Sequence, residues 1–379
     1  MTSESDQLMA ARRRRADGAV VDFDGQRLAV ARRLKRLQRT TLASNAGITP
    51  AAVTQFEKGQ SRPTRTVLGQ LALALGVPTD YLRMGRPITQ VPATEAHFRS
   101  LRATPALTRD QALAFAETGL AVIDVLEQYV ELPEVNLPAA FLPETPSSSE
   151  ISAAAAEVRK SWGVPSGPIA NMVRLVEANG IIALRLPNFI DSAVDAFSTN
   201  SGERPLILLS PQKDDKARSR FDAAHELGHL VMHEGVAPGS KLVENQAHGF
   251  AAAFLMPEEE IVPDLPKRLD WETLQQAKKK WGVSLRALCF RANRLGLWSD
   301  ALYRRANIQL STMGLPEPGP LGPPESPSLL EKAKDLLLSE GISLEEIATS
   351  SRFPLEQLES VIAAGSGRKQ RKLVVVEPH

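Results

Sequence analysis

Two histidines four residues apart, in the pentad His225-Glu226-Leu227-Gly228-His229, constrain this chain more than any other feature. Ala223, Ala224, Leu227, Leu230 and Val231 surround them in a helix-compatible stretch from Ser219 to Glu234, closed by Gly235. Four residues of α-helix turn through about 400°, so His225 and His229 share one face, one turn apart. Two neutral imidazoles so placed can hold one Zn²⁺ or another divalent ion. Glu226 projects beside them, where a carboxylate can take a proton from an attacking water. A chance pair of surface histidines is the plain alternative, and the apolar flanks weigh against it.

A catalytic ion of this kind needs a third protein ligand and an open position. The candidates are His233, Glu244 and His248. His233 stands roughly 12 Å along the axis from His225 and cannot reach the ion without breaking the helix. It is expected either close behind the ligands or in a hydrogen bond to a neighbouring loop. Glu244 opens a second helical run, ENQAHGFAAAFLMP, in which Ala247, Ala251 and Leu255 share a face. Small residues there, together with Gly228, allow two helices to pack closely and carry the carboxylate toward both histidines. His248, one turn on, is the second choice as ligand and can otherwise polarise a substrate. Upstream, residues 196–200 and 204–210 flank Gly202 and predict a β-hairpin, with Ile181 to Leu186 joining the sheet. A strand beside such a helix can bind substrate backbone as an added strand. Arg218 and Arg220 can anchor a substrate carboxylate or a buried acid, with ordinary surface charge the first reading.

Composition narrows the setting. The single cysteine, Cys289, excludes a disulfide framework and a cysteine metal cluster. No apolar run approaches the ~20 residues of a membrane span, and the polar, basic N-terminus lacks a signal-peptide core, so a cytoplasmic protein is expected. The net charge of +1 conceals an asymmetry: residues 1–90 hold 15 Lys and Arg against 7 Asp and Glu. A basic first domain on a mildly acidic body points to nucleic acid as the partner of that domain alone.

Residues 1–22, with Arg12 to Arg15, read as a disordered basic arm. Residues 23–87 predict five short helices, punctuated by Gly47, Gly59, Pro63, Gly76 and Pro78. Leu28, Ala31, Leu34 and Leu37 stripe the first, and Thr49 with Pro50 opens the third. The second and third, joined at Gly47, fit a helix-turn-helix. Val53 and Phe56 then face the core, while Thr49, Ala51, Ala52, Thr54 and Gln55 form a small polar face that can approach base edges. Arg39, Lys58 and Arg62 flank it at phosphate positions. Residues 88–149 read as a helical connector and Pro/Ser linker, 150–305 as a mixed helix–strand domain, and 306–328 as an extended, unpacked Pro/Gly linker. Residues 329–379 read as a small helical region with a basic tail, and GISLEEIATSSRFPLEQLESVI has a helix-turn-helix cadence.

Two resemblances sharpen this. The run from Leu28 to Leu82 resembles the XRE/Cro-type repressor domain, in the frame of Gly47, Val53, Glu57 and Gly59. That family usually opens its second helix with Gln where this chain has Arg39, so one DNA-positioning contact is changed. The resemblance implies dimers on two-fold operators. The segment from Ala154 through FDAAHELGHLVMH to ENQAHGFAAAFLMP resembles the ImmA/IrrE-type metallopeptidase domain. The E-x-x-A-x-x-F-A-A-x-F-L-M-P frame implies Glu244 as third ligand, and His248 sits where that family often has Asn. Its members are implicated in inactivating phage-type or stress-response repressors.

The expected fold is mainly α with a small β-sheet, of the α+β class. The expected function is a DNA-binding regulator with a zinc-dependent endopeptidase domain, acting on a repressor or antitoxin-like protein or on itself. The alternatives are a regulator whose metal domain is a non-proteolytic sensor or interaction module, and an antitoxin-like repressor paired with a toxin.

Overall fold

The computed structural model describes residues 18–94, 96, 105–191, 194–210, 215–237, 239–314 and 317–366. Arg12 to Arg15, Phe98, Leu101 and the basic tail lie outside the described residues. Among those described, the helices begin with α1 (Gly25–Leu34), α2 (Arg39–Asn45), α3 (Pro50–Glu57), α4 (Arg65–Leu75), α5 (Ala106–Leu126), α6 (Ser148–Ser161) and α7 (Met172–Ala178). Strands β1 (Ile182–Arg185), β2 (Phe197–Thr199) and β3 (Leu206–Leu209) follow. The chain continues with α8 (Lys216–Met232), α9 (Lys241–Leu255), α10 (Glu258–Ile261), α11 (Trp271–Trp281), α12 (Leu285–Arg294) and α13 (Asp300–Met313). It ends in α14 (Leu329–Ser339), α15 (Leu344–Ser351) and α16 (Leu355–Ala364), with 3₁₀ turns at Thr79–Leu82 and Val262–Asp264. The fold is mainly α with one small sheet, as the sequence predicts. No described helix is long and apolar enough to cross a membrane.

The chain divides into two compact units, one within residues 1–91, 105–130 and 334–361, the other within 92–104, 131–333 and 362–379. In the first, α1 to α4 and the Thr79–Leu82 turn supply the five predicted helices. Asp24 caps α1 by accepting from the Gln26 amide at 2.9 Å. The helix stops at Leu34, short of the predicted stripe through Leu37, because Arg36 turns left-handed with φ 55°. Gly47, at φ 64°, makes the turn between α2 and α3, a conformation in which a side chain is strained. Thr49 Oγ1 then accepts from the Ala52 amide at 3.2 Å and Pro50 opens α3. Leu28, Leu42, Val53, Leu71 and Leu75 are fully buried between these helices.

Three segments depart from the sequence reading. The expected disordered arm is ordered from Gly18: Ala19 bridges Thr64, and Val20 is buried. The expected connector contains α5, which packs on α1. Arg33 Nη1 and Nη2 meet the two oxygens of buried Glu117 at 3.2 and 2.5 Å, and Gln111 donates to the Leu34 carbonyl at 2.8 Å. Phe353, between α15 and α16, sets its ring 5.8 Å from that of Tyr81, and the buried Arg27 guanidinium lies over both. Apolar surface that a free-standing connector would leave in water is what draws these pieces in.

In the second unit β3 is central, with β1 parallel to it (Ile182 opposite Leu206) and β2 antiparallel (Phe197 opposite Leu208). The hairpin and the joining strand are as predicted. All eleven strand residues are buried, because α7 and α8 pack against the sheet. The Pro-rich segments are docked rather than unpacked. Gly180, at φ 79°, lets the Glu134–Val135 backbone pass where a Cβ would fall 2.4 Å from the Glu134 carbonyl oxygen. The segment predicted as a linker from residue 306 is helical to Met313. Beyond it, Glu317 accepts from the Leu285 amide at 2.7 Å at the start of α12. Glu325, buried, accepts from the Met172 amide at 2.6 Å at the start of α7 and pairs with Arg220 of α8. Arg220, read as surface charge, is thus 1% exposed and anchors a buried acid.

Glu177 holds the end of this strap by accepting from the Ser328 and Leu329 amides at 3.0 and 3.1 Å. Burial pushes its carboxyl up to about 7 despite those bonds. With the folded value raised, the unfolded chain ionises first, so stability is greatest at low pH and is lost as pH rises through about 7. Denaturant unfolding of the second unit should therefore weaken from pH 5 to pH 8, by at most about 3 kcal/mol from this group. Glu177→Gln should flatten that slope, and an unchanged slope would contradict the assignment.

Candidate functional site

The site begins on α8. Its N-terminus is capped by Asp215, which accepts from the Arg218 amide at 2.8 Å. Helical spacing then places His225 and His229 on one buried face, with their Nε2 atoms 3.1 Å apart. α9 is capped by Ser240, so Glu244 falls in its first turn. Gly228 packs against Phe250, with Ala247 and Ala251 buried alongside. This approach brings Glu244 Oε2 to 3.3 Å from His225 Nε2 and Oε1 to 3.6 Å from His229 Nε2. The three ligand atoms lie within 4.8 Å of one another and could hold a metal ion. Two imidazole nitrogens and one carboxylate are a donor set that suits a zinc-type ion.

Glu226, next to His225 on α8, is 1% exposed. Ser198 of β2 donates its hydroxyl to Glu226 Oε2 at 2.8 Å. The sequence reading missed Ser198. Its only advance signal was its place in the hairpin expected beside the helix.

His233 stays out of the trio, as its spacing requires. Its Nδ1 lies 3.0 Å from His229 Nδ1, and its Nε2 lies 2.8 Å from Gln246 Oε1. Gln246 Nε2 donates onward to the Glu144 carbonyl at 2.9 Å. A carbonyl can only accept, so this chain has one consistent direction. Gln246 presents its oxygen to a His233 Nε2–H, His233 accepts at Nδ1 from a His229 Nδ1–H, and His229 turns its Nε2 lone pair to the trio. Burial holds His233 below the usual imidazole range, which keeps it neutral and able to accept. Gln246 was absent from the sequence reading because glutamine has no distinctive metal-site spacing. His248 is also outside the trio: its Nδ1 lies 2.8 Å from the Glu244 carbonyl, and its ring stacks edge-on against His225 with centroids 4.5 Å apart.

On the first unit, Thr49, Ala51, Gln55, Lys58 and Arg62 are exposed, while Ala52 and Thr54 are half-buried. Val53 and Phe56 face inward as predicted. Arg39 is exposed but tethered, its Nε 2.6 Å from Glu57 Oε2. The other Glu57 oxygen takes Arg32 Nε at 2.5 Å, and Arg32 is itself buried. One carboxylate thus ties α1, α2 and α3 together.

Two family models match this chain. Residues 28–82 match the one described as Helix-turn-helix, and residues 181–293 match the peptidase family described as the IrrE N-terminal-like domain. No curated protein matches it. The fold and site thus define a fusion of two parts: a helix-turn-helix segment of the kind found in DNA-binding regulators, and a metallopeptidase-like domain. The trio, Glu226 and the whole sheet lie inside the second match.

Groups that orient a ligating histidine typically change metal affinity by about 10- to 100-fold when removed. Gln246→Leu should weaken the binding of added Zn²⁺ to the full chain by that factor, measured against a chromophoric chelator, with the fold retained by circular dichroism. Unchanged affinity would show that the chain through His233 does not orient His229.

Proposed function

We propose that this protein is a transcriptional regulator that binds DNA through the first unit and carries a zinc-dependent metallo-endopeptidase in the second. Its substrate is a repressor or antitoxin-like protein, or the chain itself, in a stress, phage or mobile-element response. The observation that carries this reading is the convergence of His225, His229 and Glu244 beside a buried carboxylate, Glu226, on a chain that also presents a helix-turn-helix. Zn²⁺ held by the three ligands would supply Lewis acidity to a peptide carbonyl and to a water. Glu226, held by the Ser198 hydroxyl, takes the proton of the attacking water and delivers it to the leaving amine. β2 is an edge strand of the described sheet and packs beside α8, so an extended substrate added to it would lie along the ligand face. His233 and Gln246 keep the His229 ring in one orientation.

On the DNA side, α3 enters the major groove with Thr49, Ala51, Ala52, Thr54 and Gln55 at base edges. Arg39, Lys58 and Arg62 lie at phosphates. Glu57 fixes the Arg39 guanidinium before DNA arrives, which lowers the entropy lost on contact. Two copies bind a two-fold operator.

Glu226→Gln separates the metal from the chemistry. The variant should keep one equivalent of metal by elemental analysis and lose relief of repression in cells, with cleavage reduced by roughly 100-fold or more. Relief that persists in the variant would overturn the peptidase assignment. For the first unit, affinity of the full chain for its selected promoter fragment should fall by roughly two or more orders of magnitude between 50 and 200 mM salt, through counterion release. A flat response would exclude phosphate contacts as the source of binding.

A further inference from the structure

We infer that a cavity beside the ligand trio receives a large apolar side chain of the substrate next to the cleaved bond; this rests on the peptidase reading above. The α8 stripe that carries His225 and His229 runs backward at the same four-residue spacing through Phe221 to Ala217. Phe221 and Ala217 form one wall of a cavity of about 320 Å³. Ala287 and Phe290 of α12 and Tyr303 of α13 line it as well. His248 joins the two places, since its ring lines the cavity and stacks against His225 with centroids 4.5 Å apart. The space therefore begins one ring's width from the trio. A peptide held with its carbonyl at the trio has a neighbouring side chain within reach of it.

Five charged side chains, Asp215, Arg218, Asp222, Arg286 and Glu317, also line the cavity, and their partners bear on the ligand class. Arg218 pairs with Asp222 at 3.1 Å and with Asp195 at 3.3 Å. Glu317 is engaged by Lys278 at 3.4 Å and by the Leu285 amide at 2.7 Å. Asp215 caps α8, and Arg286 Nη1 donates to Asn307 at 3.0 Å. Arg218, Asp222 and Glu317 are thus each paired with an opposite charge of the chain, which disfavours a charged ligand as the occupant. Phe221, Phe290, Tyr303, Ala217 and Ala287 supply an aromatic and aliphatic surface of side-chain dimensions, which favours Phe, Leu or Met over small residues.

The test uses the full chain loaded with one equivalent of Co²⁺, titrated separately with acetohydroxamate and 3-phenylpropanohydroxamate, and reads the cobalt absorption band. Both probes present the same metal-binding group, and only the second carries a ring that can enter the cavity. The phenyl compound should bind roughly ten-fold or more tightly, the gain expected for burying an aromatic ring. Ala287→Phe fills the cavity and should bring the affinity ratio close to one. Tyr303→Ala removes a wall without adding bulk and should also lower the ratio, which keeps the test open if the first variant does not fold. Equal affinities in the unaltered chain, or a ratio untouched by the substitutions, overturn the pocket and leave the metal centre standing. No spectral response to either hydroxamate overturns the metal-centre reading and the pocket with it.

Discussion

The close approach of α8 and α9 is the contact on which the rest of the second unit's chemistry depends. It exists because position 228 has no side chain: a Cβ there would sit 3.0 Å from a Phe250 ring carbon. Ala247 and Ala251, both fully buried, keep the rest of the seam narrow. Through that contact α9 delivers Glu244 to the two histidines, Gln246 to the histidine behind them and His248 to their flank. Gathering a carboxylate and two imidazoles where water is scarce costs solvation, which a divalent ion held by them would offset. A bulkier helix pair would keep every one of these residues and lose the site.

Buried ionic contacts play the corresponding structural part in both units. Glu57 collects Arg32 and Arg39, Glu117 takes Arg33, and Glu325 takes Arg220. Breaking such a pair leaves an uncompensated buried charge, which costs several kcal/mol, whereas the pair itself is worth much less against an apolar replacement. Their effect is to specify which segments meet. The Pro-rich strap shows this best, since Glu317, Glu325 and Glu177 each meet backbone amides at the start of a helix. Proline supplies no amide of its own and few apolar contacts, so the carboxylates are what hold these stretches down.

The first unit shows how domain limits escape a linear reading. α5 has the apolar surface of an ordinary packed helix, and nothing in its sequence says which neighbour will cover it. Phe353 lies in a stretch with its own helix-turn-helix cadence, yet its ring completes the cluster around Arg27 and Tyr81. Buried arginines were equally hidden. Arg27, Arg32 and Arg220 look like surface charge by residue type, and only their distant partners make burial tolerable.

What the chain determined by itself was local. Gly47, Thr49 and Pro50 specify a turn and a helix start, the four-residue spacing of His225 and His229 specifies a shared face, and alternating apolar residues specify the hairpin, because each signal is carried by neighbours within about one turn. The frame around Glu244 already pointed to it as third ligand; the tertiary structure alone decided that Ser198 meets Glu226 and that Gln246 stands behind His233. It also decided that Glu325 reaches across 153 residues to the start of α7. Contacts at such separations depend on how all the helices pack at once, and side-chain identity in one short window carries no record of that sum.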